Sequence, residues 1–159
     1  MGTLPQLFEE DIQRLDGTLR ELLEKSDATT ALIIDQGGFL IASQGDNRQF
    51  DLTTIAALAS GAYLANQTIA NLIHETNFNS VYQQGEKFSM FALSVDENCM
   101  LVVVFKAQVS VGAVKYFAVP AAKEIAEQML IAHERDPSGG LDLSVLNLAD
   151  TADVFKRKG

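Results

Sequence analysis

The stretch LTTIAALASGAYLANQTIANLIH, residues 52–74, contains no Asp, Glu, Lys or Arg, in a chain where 21% of residues are charged. Asp51 stands immediately before it as a good N-cap, so a helix is predicted from Leu52 to about Glu75. Ile55, Leu58, Ala62, Ala65, Ile69, Leu72 and Ile73 recur at helical spacing, and this stripe is expected to face a sheet. Ala57, Ser60, Gly61, Leu64, Thr68 and Asn71 then form a second face, small and uncharged, with no long charged side chain to hold it in water. A membrane span needs about twenty strongly apolar residues; Thr53, Thr54, Ser60, Asn66, Gln67, Thr68 and Asn71 argue against one. A domain this small rarely wraps a helix on all sides. The expected arrangement is one face on the chain's own sheet and the other in a protein interface, whose core is typically depleted of charge.

The segments on either side supply that sheet. Thr29–Asp35 and Phe39–Ser43 are short apolar runs separated by Gln36-Gly37-Gly38, the pattern of a tight hairpin. Thr30–Ile34 is apolar at both parities, as a strand covered on both faces requires. Beyond the helix, strands are predicted near Phe78–Gln84, Lys87–Val95 and Cys99–Phe105, with turns around Gly85 and at Asp96-Glu97-Asn98. The run Met100–Phe105 is uninterrupted and marks the most buried strand. Phe78–Gln84 is the most polar of the five and has no lysine or proline guard, which edge strands usually carry. That unguarded edge beside an uncharged helix predicts a symmetric dimer that extends the sheet. Its interface is expected to use Ala57, Ser60, Gly61, Phe78, Ser80 and Tyr82.

Two further helices complete the pattern. From Leu7 to Leu23, Phe8, Ile12, Leu15, Leu19, Leu22 and Leu23 form one stripe, with Glu9, Glu10 and Asp11 early and Lys25 late, as the helix dipole favours. Ser110 can cap a last helix reaching about Glu134. Its stripe stays in phase past Pro120, where either a kink or a break at Val119 is expected. The predicted order is α-β-β-α-β-β-β-α. Residues 1–135 form the domain, and Asp136-Pro137-Ser138-Gly139-Gly140 opens a linker and tail over 136–159.

Composition narrows the function. Acidic residues outnumber basic ones 21 to 12, a net charge of −9, which repels nucleic acid and anionic lipid. No nucleic-acid partner and no membrane insertion are therefore expected. Cys99 is the sole cysteine, so no intrachain disulfide or thiolate metal cage is predicted. Glu9, Glu10 and Asp11 interrupt the N-terminal region and argue against a signal peptide, so the expected compartment is the cytoplasm. There is no phosphate-binding glycine loop and no glycine-flanked nucleophile elbow. His74 and His133 fall at helix C-terminal ends, where capping explains them. No catalytic residue, metal or cofactor is expected, and the chain is not read as an enzyme.

Taken together, Ala31–Asp35 with Gly38–Ser43, Ala56–Ala62, and Leu101–Phe105 followed by Ser110-Val111-Gly112 resemble the roadblock/dynein-light-chain family over about residues 7–135. The resemblance implies an α+β, three-layer α/β/α sandwich: a five-stranded antiparallel sheet in the order 2-1-5-4-3, one helix on one face and two on the other. It also implies a homodimer through the third strand and second helix, giving ten continuous strands. Bacterial members of the family bind a small Ras-like GTPase, speed GTP hydrolysis and help set cell polarity and motility. On that basis Gly61, Leu64, Thr68 and Asn71, with Arg48 in the preceding loop, are the expected GTPase contacts. A non-catalytic adaptor is the alternative, and a small-molecule sensor a more distant one. In the tail, Ser144 can cap a short helix placing Val145, Leu148, Ala149, Ala152 and Phe155 on one face, before Lys156-Arg157-Lys158.

Overall fold

A computed structural model describes residues 4–76 and 78–135. The elements run α1 (Glu9–Ser26), β1 (Thr30–Asp35), β2 (Leu40–Gly45), α2 (Leu52–Leu72), β3 (Ser80–Gln83), β4 (Phe88–Ser94), β5 (Cys99–Lys106) and α3 (Val111–Arg135). The strands form one antiparallel sheet in the order β2-β1-β5-β4-β3. This is the expected order, with β3 at one edge.

The alternating faces of the central strands build two cores. On one side Ile33, Leu101, Val103 and Phe105 pack with Leu15, Leu19 and Leu22 of α1 and Val114, Ala118, Ile125 and Met129 of α3. On the other, Leu32, Ile34, Met100 and Val102 meet Leu52, Ala56 and Ala59 of α2. β5 is buried at every position except Lys106, because both of its faces are covered. Burying each large side chain contributes roughly 1.5–3 kcal/mol, and most of them lie on the two-helix side. The thin face is the α2 face.

The caps formed as the sequence indicated. Asp51 Oδ1 accepts from the Thr54 N–H at 3.2 Å and its Oδ2 from the Thr54 hydroxyl at 2.7 Å. Ser110 Oγ accepts from the Gly112 and Ala113 N–H groups. α3 runs unbroken through Pro120, so the two-helix alternative is discarded; the stripe's unchanged phase holds both halves on the same core.

One expectation largely fails. Of the stripe assigned to the sheet, Ile55 packs on the core beneath α2, but most of the rest is left outside: Leu58 is 69% exposed, Ile69 48%, Leu72 74% and Ile73 61%. The sheet side is Leu52, Ala56, Ala59 and Ala70, all buried, with Tyr63 packed alongside. At 100° per residue that side is turned about a third of a revolution from the expected stripe. The reason is steric. β1 and β5 supply bulky branched side chains, and alanines let α2 approach them closely. Residue size decided which side went down.

The hairpin turn braces the same helix. Gly38 adopts φ 96°, and a Cβ there would sit 3.2 Å from Ala57 Cα, while the Ser60 hydroxyl donates to the Gln36 carbonyl at 2.6 Å. Gly38→Ala should therefore cost about 1–2 kcal/mol of stability, read as a lower urea midpoint with unchanged slope. An unchanged midpoint would mean that the turn relaxes freely.

Candidate interaction surface

The outer side of α2 forms a broad uncharged surface. Leu58, Leu64, Ile69, Leu72 and Ile73 are all at least 48% exposed, and Gly61, Ala62, Ala65, Thr68 and Asn71 are exposed between them. Scattered single apolar residues are normal on a surface, whereas a contiguous patch of this kind marks a place where something binds. The helix is held as a rigid rod by its Asp51 cap and its seating on the sheet. The surface is thus presented preformed.

Of the residues expected to contact a GTPase, Gly61, Leu64, Thr68 and Asn71 line one flank of this exposed side. A Cβ at Gly61 would meet nothing within 4 Å, so the position is open rather than sterically required by its own chain. Arg48 is exposed in the loop between β2 and α2. It precedes α2, thirteen positions before Gly61 in the chain, and is not on this flank of the helix.

The residues expected at the dimer interface divide. Ala57 and Gly61 are exposed. Ser60 is buried against its own hairpin turn, with its hydroxyl spent on Gln36. Tyr82 is opposite Phe91 and stacks on Phe105 at 6.2 Å, which puts it, and Ser80 two residues earlier, on the face covered by α1 and α3. Val81 and Gln83 are opposite Ala92 and Met90, which pack on the α2 side. These two share a face with α2 and were missed because strand parity is invisible without the register. Phe78 is half-buried and lines a cleft of about 30 Å³ between α2 and β3, with Tyr63, Val81 and Met90. The cleft is too small for a ligand and is continuous with the sheet edge.

Elsewhere, Cys99 is fully buried, and burial, then the neighbouring Asp96 carboxylate, push its thiol well above the usual range. It is a poor nucleophile. Asp11, read from the sequence as an acid favoured by the helix dipole, is completely buried. It accepts from the Phe8 N–H at 2.7 Å, from Gln128 Nε2 at 2.7 Å, and from both terminal nitrogens of Arg135 at 2.9 and 2.7 Å. The Arg135 guanidinium also lies 4.5 Å from the centre of the Phe8 ring. This cluster ties the start of α1 to the end of α3. Gln128 and Arg135 stand 117 and 124 residues from Asp11 in the chain, so no local pattern could have announced them. Among the described residues, no group of three or more His, Cys, Asp or Glu is placed to hold a metal ion, and no helix is long and apolar enough to cross a membrane.

A five-stranded antiparallel sheet with two helices on one face, and on the other a single helix whose outer side is apolar, uncharged and open, defines a small α+β interaction module. Residues 15–105 match the Roadblock/LC7 domain. The chain belongs to the roadblock/LC7 family. It is similar to a structure described as MglB with tetrameric arrangement, at 29% identity and TM-score 0.77, the match covering 83% of this chain and 98% of that one. It is similar also to the gliding protein MglB of Thermus thermophilus, at 28% identity and TM-score 0.75 over 82% of this chain and 98% of that one. The Myxococcus xanthus MglB structure matches at 27% identity and TM-score 0.75, over 80% and 96% respectively. No curated protein sequence matches the chain.

Proposed function

We propose that this chain is a homodimeric regulator of a small Ras-like GTPase of the MglA type, a GTPase-activating protein without a catalytic site of its own. Its setting would be the bacterial cytoplasm, in cell polarity and gliding motility. The observation that carries the reading is the outer side of α2, free of charge from Leu52 to His74 and exposing five large apolar side chains. Membership of the roadblock/LC7 family and the likeness to three MglB structures support the same reading.

Two partners share this surface in the proposal. The β3 edge, with Phe78, Val81 and Gln83, and the outer side of α2, with Ala57 and Gly61, meet a second copy. Gly61, Leu64, Thr68 and Asn71 meet the GTPase. GTP hydrolysis is limited largely by positioning and electrostatics. Since α2 carries no arginine, stimulation would come from reorganising the GTPase so that its own groups reach the phosphate. Arg48 is the side chain to test for any direct contribution.

The absence of any charged group along α2 equally favours a second reading, an adaptor that binds the GTPase without altering turnover. Light scattering should find a dimer at micromolar concentration; a stable monomer there would damage both readings. GTP turnover by the cognate Ras-like GTPase should rise on adding the protein. Binding with unchanged turnover would select the adaptor.

A further inference from the structure

A groove of about 380 Å³ lies on the two-helix side, away from α2, between the N-terminal segment, the β4–β5 turn and α3. Leu4, Pro5, Met129 and Leu130 give it apolar walls, and Asp96 and Glu97 lie at its β-turn end. Leu130, on the α3 wall, is 55% exposed, on the side of the sheet away from α2.

The chain itself supplies an occupant of matching chemistry. Residues 136–159, outside the described residues, follow Arg135 in the chain; the Arg135 guanidinium is pinned to Asp11, two residues past His133 on the groove wall. The sequence places Val145, Leu148, Ala149, Ala152 and Phe155 on one face of a helix begun by Ser144, and ends it with Lys156-Arg157-Lys158. A helix of about twelve residues is marginal alone in water, so its apolar face needs cover. The eight residues 136–143 can reach about 26 Å when extended, and Pro137, Gly139 and Gly140 favour a reversal of direction. A second groove beside α3 is unsuitable for an apolar face, because Arg14, Glu21, Glu124 and Glu127 line it, and a third, beside Phe117 and Pro120, is only about 70 Å³.

We infer that the segment from Ser144 to Lys158 folds back into the groove of Leu4, Met129 and Leu130, with its terminal basic run at Asp96 and Glu97. This docking does not depend on what binds α2. It gives the tail a resting place from which a partner would have to displace it.

Disulfide trapping in the full chain tests the inference. Leu130→Cys lies in the groove, whereas Ile131→Cys, 48% exposed, lines the charged groove instead; each is combined with Leu148→Cys. Native Cys99 is buried and does not compete. In a glutathione redox buffer the Leu130 pair should close at least tenfold faster than the Ile131 pair, since the two sites are adjacent in α3 and differ in the groove they line. Adding Phe155→Asp should bring the Leu130 rate down to the Ile131 rate. In dimers assembled from isotopically light and heavy chains, the bridged peptides should join chains of the same label. Equal rates for the two pairs overturn the inference and leave the tail to another partner. Mixed-label bridges overturn it in favour of a second copy.

Discussion

Leu64→Arg should weaken binding of the Ras-like GTPase at least a hundredfold while leaving the fold and the dimer intact. Leu64 is 53% exposed in the free chain, so an arginine there stays in water before binding. Leucine and arginine also have nearly equal helix propensity, so the helix itself loses little. Within a complex the same guanidinium would be buried against a surface shaped for an uncharged face, without a carboxylate to meet it. A hundredfold loss corresponds to about 2.7 kcal/mol, well within the cost of stranding a charge in an interface. Binding would be measured by titration calorimetry against the GTP-loaded partner, with light scattering and urea unfolding as controls. A stability change beyond about 0.5 kcal/mol would be unexpected at an exposed site. Undiminished affinity would move the GTPase contact off this flank of α2.

The second large effect lies on the other face of the sheet, where α1 meets α3. Asp11→Ala should lower stability by about 2–3 kcal/mol, because it leaves the Phe8 N–H and the Gln128 amide without an acceptor in a buried site. The Arg135 head, partly exposed, can turn to solvent and limits the loss. The effect should also depend on pH. The Arg135 guanidinium, opposed by burial and aided by the Phe8 and Gln128 donors, holds the Asp11 carboxyl well below its ordinary value of 3.8. A carboxyl depressed in the folded state stabilises the fold fully above its unfolded pKa, and that contribution fades as pH falls toward the folded one. The gap between parent and Asp11→Asn should therefore be constant above about pH 5 and narrow below about pH 4. Urea midpoints at several pH values check this, and a gap independent of pH down to about 2 would show that the charge does not matter.

Much of this architecture is legible in the residues themselves. Thr30–Ile34 and Met100–Phe105, apolar at both parities, announced strands covered on two sides, and both are. Asp51 and Ser110 cap the helices they were assigned. The lack of charge from Leu52 to His74 correctly singled out α2 as the unusual element, since its large apolar residues are left in the open.

What the residues alone could not decide was which side of α2 meets the sheet. Periodicity fixes the direction of a helix's inner face only when polar residues mark the outer one. On a helix apolar or small all round, Leu58, Ile69 and Leu72 look like core, yet Leu32, Ile34, Met100 and Val102 beneath are met instead by Leu52, Ala56 and Ala59. Likewise Asp11 looked like an ordinary helix-start acid until the fold brought Gln128 and Arg135 against it. Local chemistry determined the elements and their ends; only packing between distant segments decided which faces were spent on the core and which were left for partners.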